Sequence, residues 1–410
     1  MFYGWWIVIG VFFAQLFVTG FFSYGFPLLV VPVQTAFGAT REEVMWGMSG
    51  SGLVGLVLPP IAGYLVDKWS ARGLMIIGTV ALAAAFEAMA LSQSVIQFGL
   101  SLALVLSIPN ALLGPVTGST LVSRWFIASR GRALGYAAIG TSVGGVVVPI
   151  WLQYWISAAD WRVGLHTLAI LTLSLVLPLA VFAIRDHPSD KGLEPEGSGE
   201  GGAASDAKAA SAAGEIWSTS EILRNLPFWL ISVCLGLLFL AYTAVMSNLH
   251  AYASDLGVSG ADATTLISVV AVCGFVGKLA FGYAADRISL RLGLWGAQAL
   301  VGSGLFILSL EPSYPLMLLA AVLMGLAAGG MLPVWGAIIA VIFGTRSYGQ
   351  VMGMTMPVIA VLIMPGFVIA GRLRDTMGDY VLALQLFIGL LVVSAAVLLP
   401  LKVEAASRAR

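Results

Sequence analysis

One lysine sets the chemistry available to this sequence. Lys278 lies within VCGFVGKLAFGYAADRISLR (Val272 to Arg291), and of the 20 Lys and Arg in the chain it is the one that falls inside an apolar run instead of a loop, a linker or a helix end. A lysine at the centre of a bilayer costs about 3 kcal/mol even on lenient insertion scales, so a cation in that place marks a functional site. The chemistry it supports is anion capture. Burial disfavours the ammonium and an arriving carboxylate favours it, which links proton uptake to anion binding at a single residue.

Other groups share that level of the chain. Thr243, Ser247 and His250 recur at i, i+4 and i+7, so they lie on one helical face, with Asn248 beside them. His250 adds an imidazole that could donate to a substrate hydroxyl or carry a proton. Asp255, at the outer end of the same segment, is a candidate partner for Lys278 in proton coupling. The matching face of the first apolar run is Tyr24, Leu28 and Val31, an apolar wall with one phenol, while Asn110, Thr117 and Trp335 come from two further runs. Pro115 and Pro333 occupy matching positions in those runs, where bends are expected. Glu87 is the one carboxylate inside a run and reads as an interfacial residue or a proton relay.

Several chemistries are excluded. There is no phosphate-binding Walker sequence, catalytic triad or metal-ligand cluster, so neither an enzyme nor an ATP-driven pump is expected, and no cofactor or metal is implied. Gly140, Gly144 and Gly145 follow no strand and read as close helix packing, not a phosphate loop. Cys234 and Cys273 both sit in apolar runs and read as small packing residues. A net charge of zero gives no field to recruit nucleic acid.

The elements that must carry these groups are membrane helices. With 59% hydrophobic and only 10% charged residues, the chain cannot be a soluble globule. Alternating ten-residue strand patterns are absent, which leaves an all-α polytopic membrane protein. Twelve transmembrane helices are expected, near residues 4–32, 44–66, 73–93, 97–122, 133–157, 162–184, 228–253, 262–285, 291–310, 315–342, 349–371 and 379–401. They divide into an N-terminal six-helix bundle at 1–185 and a C-terminal one at 221–410. Between them, residues 186–220 are rich in Gly, Ala and Ser with an acidic excess, which predicts a flexible linker. The opening MFYGWWIVIG has no basic leader, so the first span is expected to be retained.

Short loops set orientation. Lys68, Arg72, Arg124, Arg130, Arg132, Arg287, Arg291 and Arg346 fall in alternate loops, against Arg41, Arg162, Arg372 and Arg374 on the other side. Positive-inside reasoning puts both termini and the linker in the cytoplasm, with a bacterial inner membrane as the expected location. The halves also repeat. GYLVDKWSAR (Gly63 to Arg72) matches GYAADRISLR (Gly282 to Arg291), and RWFIASRGRALGYA (Arg124 to Ala137) matches IFGTRSYGQVMGMT (Ile342 to Thr355). Parallel duplication of this kind is the mark of a transporter whose halves move about a midplane site.

These residues carry a resemblance. The Gly-x-x-x-Asp-Arg/Lys pattern, present as Gly63, Asp67, Lys68, Arg72 and again as Gly282, Asp286, Arg287, Arg291, resembles that of the major facilitator superfamily, over essentially the whole chain. Tyr3-Gly4-Trp5-Trp6 and Ser23-Tyr24-Gly25-Phe26-Pro27 look like the monocarboxylate transporter and oxalate:formate antiporter branch. The resemblance implies that Asp67, Lys68, Arg72, Asp286, Arg287 and Arg291 act in gating, as paired cytoplasmic latches. It also implies a cation in span eight, eight residues before the loop aspartate, the place that Lys278 holds.

Two departures narrow the substrate. Most members of the branch this chain resembles have Arg where it has Lys278, and vertebrate lactate carriers have a Lys in span one where this chain has Leu28. Oxalate exchangers carry a second cation in span eleven, and Val351 to Gly371 contains none. One cation suits one carboxylate. The expectation is a secondary active transporter for a small monocarboxylate, lactate- or pyruvate-like, with proton symport, working as a monomer in the bilayer. The alternatives are an oxalate/formate-type exchanger and a substrate-sensing receptor of the same fold.

Overall fold

The computed structural model describes residues 2–198 and 216–401. Eleven helices among the described residues are long and apolar enough to cross a membrane, and a twelfth apolar helix is shorter. In chain order they are α1 (Gly4–Phe37), α2 (Arg41–Lys68), α3 (Ala71–Ala90), α4 (Val95–Trp125), α5 (Arg130–Ala158), α6 (Trp161–Ala183), α7 (Leu226–Asp255), α8 (Gly260–Ala285), α9 (Leu290–Leu308), α10 (Tyr314–Phe343), α11 (Tyr348–Met377) and α12 (Val381–Val397). The chain is a polytopic all-α membrane protein.

Helix starts are written in the polar residues between the apolar runs. Thr40 and Glu43 form a reciprocal box at the head of α2, with N–H to side-chain distances of 2.8 and 3.2 Å. Ser70, Asp160, Ser259 and Ser289 cap α3, α6, α8 and α9 by accepting from backbone N–H groups that the first turn leaves without partners. At the end of α1, Gly38 takes the left-handed conformation (φ 61°) that turns the chain towards α2.

The two matched prolines behave differently. The backbone at Gly114 is extended and α4 stops and restarts there, because Pro115 lacks an N–H and begins a new helical stretch. Pro333, by contrast, lies inside α10, which runs without a break from Tyr314 to Phe343.

By internal packing the chain forms two compact units. Unit 1 comprises Met1–Ile127, Tyr136–Ile216 and Phe343–Met354, and unit 2 comprises Ala128–Gly135, Trp217–Ile342 and Thr355–Arg410. The described residues 186–198 group with unit 1, as do the first turns of α11, while the first turns of α5 group with unit 2.

Within unit 1, α1 crosses α5 where Gly20 meets Gly144, and a Cβ on Gly20 would stand 2.8 Å from Gly144 backbone. Backbones this close keep helices together where lipid offers no hydrophobic drive. Unit 2 places small residues at the corresponding crossing of α7 and α11, with Gly236 against Leu362 and Gly366 against Leu240. Its core is built from buried residues such as Leu238, Val270, Val301, Met324 and Phe387.

The stretch expected to be flexible from residue 186 is held to unit 1 as far as residue 198. Asp186 accepts from Ser70 Oγ (2.7 Å) and from the Arg72 N–H (2.8 Å), and Trp125 Nε1 donates to the Arg185 carbonyl (3.1 Å). Residues 125–127 and 196 exchange backbone hydrogen bonds, and Lys191 stands over the Tyr3 ring at 5.1 Å. The rest of that stretch up to residue 215 lies outside the described residues.

Candidate functional site

Lys278 is half-buried on α8, eight residues before Asp286 and so about 12 Å along the helix from it. Among the described residues it is the Lys or Arg set deepest inside a membrane helix. Its backbone is enclosed by glycine. A Cβ on Gly329 of α10 would stand 2.5 Å from the Lys278 nitrogen, and one on Gly135 of α5 would stand 2.6 Å from the Lys278 carbonyl oxygen. The helix is thus fixed on two sides at the residue whose side chain carries the charge.

The polar face of α7 is largely folded back on its own helix. Thr243 Oγ1 donates to the Phe239 carbonyl, Ser247 Oγ to Ala244 (3.0 Å) and Asn248 Nδ2 to Ala244 (2.8 Å) and Ser247 Oγ (3.1 Å). These bonds use the donors and leave oxygen lone pairs available. Tyr380, just before α12, donates to Asn248 Oδ1 at 3.5 Å. Ser247 and His250 are exposed, whereas Trp335 on α10 is buried and meets Phe239 edge-on at 6.3 Å, with its indole N–H unpartnered among the described residues.

Asp255, a candidate partner for Lys278, is engaged elsewhere. Both its oxygens accept from Arg374 at 3.2 to 3.3 Å, an exposed fork between α7 and α11. The geometry therefore gives Asp255 a guanidinium that sequence spacing did not indicate.

In unit 1, Tyr24 is exposed, with its ring against Gly145, and Leu28 and Asn110 are half-buried. Thr117 is fully buried and its hydroxyl has no hydrogen-bond partner among the described residues. Sequence reasoning missed Gln15, which is buried on α1 beside Gly118, with an unpartnered Oε1. It also missed His166 on α6, whose Nδ1 lies 2.7 Å from Glu87 Oε2 on α3. A lone amide and a lone imidazole in apolar runs were the available signals.

The repeated loops carry matched clamps. In unit 1, Asp67 accepts the N–H groups of Gly349 (3.1 Å) and Gln350 (2.7 Å) and pairs with Arg124 at 3.4 Å. In unit 2, Asp286 accepts the N–H groups of Gly131 and Arg132 and the Arg132 Nε (3.3 Å). Each carboxylate thus faces the first N–H groups of a helix, where the dipole favours an anion. Burial pushes the Asp286 carboxyl up from its ordinary range, against these hydrogen bonds and the Arg132 charge, which hold it down.

The neighbouring arginines do something else. Arg72 donates to the Val181 carbonyl (2.6 Å) and Arg291 to the carbonyls of Leu399 (3.2 Å) and Leu401 (3.4 Å). Each secures the end of the last helix of its own half. Arg287 lies over the Tyr283 ring at 3.4 Å, and Lys68 is exposed.

Among the described residues, twelve apolar helices in two repeated sets, with matched acidic clamps, define a membrane transporter fold. A family model described as Major Facilitator Superfamily matches residues 11–356, and the chain belongs to that superfamily. An MFS-type transporter of Aspergillus fumigatus is 27% identical over 376 residues, covering 88% of this chain and 83% of the relative. Monocarboxylate transporter 13 of Rattus norvegicus is 26% identical over 383 residues, covering 92% and 84%. Among solved structures, the proton:xylose symporter XylE aligns with a TM-score of 0.80 at 12% identity, covering 98% of this chain and 97% of that one. That likeness concerns the fold alone. As a member of this superfamily the protein is a transporter and not an enzyme.

Proposed function

We propose that this protein carries small monocarboxylates of the lactate and pyruvate type across the membrane by proton symport, with Lys278 holding the carboxylate. The observation that carries the reading is one half-buried cation deep in α8, with its backbone fixed by Gly329 and Gly135. A single ammonium pairs with a single carboxylate, and binding of the anion favours the protonated lysine, so anion and proton travel together. The resemblance to proteins named monocarboxylate transporters supports the substrate class. Thr243, Ser247, Asn248 and His250 offer oxygen and nitrogen groups for a substrate hydroxyl or keto group. Tyr24 and Leu28 are assigned to substrate contact by the repeat in the sequence, and Asn110, Thr117 and Trp335 by their places in spans four and ten.

The Asp67 and Asp286 clamps are proposed to break and re-form during the transport cycle. By the distribution of Arg and Lys in short loops, the clamps and both termini face the cytoplasm. The test is uptake of labelled lactate into proteoliposomes under an outside-acid gradient, set beside counterflow driven by preloaded oxalate. The proposal expects the proton gradient to accelerate lactate uptake. Indifference to the gradient combined with oxalate counterflow would instead identify an exchanger.

A further inference from the structure

An open groove of about 580 Å³ runs along unit 2 between α9 and α12. Its lining is mostly apolar and includes small residues, among them Ala299, Gly302 and Ala396. Exposed apolar side chains such as Val392 (65%) and Leu399 (61%) flank it, so this face meets lipid. The groove follows the chain from Ile388 to Leu399. At about 1.5 Å per residue that is roughly 16 Å, close to one leaflet of a hydrocarbon core about 30 Å thick. The lining is held rigid from behind, where Gln298 Nε2 donates to Ser394 Oγ (2.6 Å) and Ser394 Oγ donates to the Cys234 carbonyl (2.8 Å).

One end of the groove is charged. Arg291 lies over the ring of Trp295 at 4.8 Å and donates Nη1 to the Leu399 and Leu401 carbonyls, and both Trp295 and Leu399 line the groove. The Leu399 and Leu401 carbonyls, in the turn that follows α12, would by themselves repel an anion. Arg291 covers both of them with Nη1 alone. A guanidinium at the mouth of a leaflet-length apolar slot is complementary to one ligand chemistry, a phosphate joined to an acyl chain.

We propose that this groove binds one anionic phospholipid of the leaflet on the Arg291 side, its acyl chain along α9 and α12 and its phosphate on Arg291. The site is separate from Lys278 and does not depend on the identity of the transported anion. A cation at this depth gives about 1 kcal/mol of preference for an anionic headgroup, roughly fivefold in affinity.

The test uses delipidated full-length protein in detergent, titrated with dioleoyl phosphatidylglycerol or dioleoyl phosphatidylcholine. Thermal unfolding and the lipid retained in native mass spectrometry are read together. The expected result is one retained phosphatidylglycerol, about fivefold tighter binding than phosphatidylcholine, and a correspondingly larger rise in unfolding midpoint. Ala299→Leu, which fills the exposed groove and leaves Arg291 in place, should remove that rise, and Arg291→Gln should remove the preference. Equal effects of the two lipids, or an undiminished phosphatidylglycerol effect in Ala299→Leu, would overturn the proposal. Because Ala299 is a surface residue, that variant decides the matter even where Arg291→Gln, which frees the end of α12, lowers stability.

Discussion

Asp286 accepts from Arg132 twice, from the backbone N–H at 3.1 Å and from Nε at 3.3 Å. Asp67 repeats the arrangement with Gly349 and Gln350, which stand where Gly131 and Arg132 stand in the duplicated sequence. The clamps differ in their cations. Arg124 beside Asp67 is 6% exposed, whereas Arg132 beside Asp286 is 44% exposed.

That difference predicts unequal mutants. Asp67→Asn leaves a buried guanidinium with only the Asp186 charge to offset it, a loss on the order of 3 kcal/mol, whereas Asp286→Asn leaves a solvated one and should cost about 1 kcal/mol. Thermal unfolding of the two purified variants in the same detergent should therefore show the larger fall for Asp67→Asn. Equal falls would mean that the backbone N–H groups, common to both clamps, carry the stability.

Packing around Lys278 predicts a second contrast. Gly329→Ala puts a Cβ 2.2 Å from the Gly274 carbonyl oxygen and 2.5 Å from the Lys278 nitrogen, and should cost about 1 to 3 kcal/mol through overpacking. Gly389→Ala meets nothing within 4 Å and should stabilise α12 by about 0.5 kcal/mol or more, since alanine is the better helix former. Unfolding midpoints that move in the same direction for both would contradict the close approach of α8 and α10.

The Glu87–His166 pair is half-exposed, with side-chain accessibilities of 40% and 38%. A pair so open contributes about 0 to 1 kcal/mol, and it sits outside the proposed proton route. Glu87→Gln should keep the wild-type response of lactate uptake to an outside-acid gradient. Loss of that response with uptake otherwise intact would move proton coupling from Lys278 to this pair.

Much of the fold was legible because membrane helices announce themselves by long apolar runs. Lys278, Asp67 and Asp286 drew notice in the sequence for the same reason: a charge stands out against an apolar background. What stayed hidden depends on partners without a side-chain signature. Arg72 and Arg291 secure the ends of α6 and α12 through carbonyls of Val181, Leu399 and Leu401, which any residue would offer. His166 and Glu87 lie on different helices far apart in sequence, and neither alone predicts the other. Composition treated residues 186–220 as one piece, although the contacts that order 186–198 are made by individual residues such as Asp186 and Lys191.

The Lys278 ammonium is proposed to capture the substrate carboxylate and to couple it to a proton. The most direct measurement is initial-rate uptake of labelled lactate into proteoliposomes holding wild type, Lys278→Gln or Lys278→Arg at matched protein content. With the cation removed, uptake should fall by about a hundredfold, as expected when a charge pair worth about 3 kcal/mol is lost, and Lys278→Arg should keep part of the rate with a weaker response to the proton gradient. Lys278→Gln transporting lactate at the wild-type rate, with its proton dependence intact, would contradict the account.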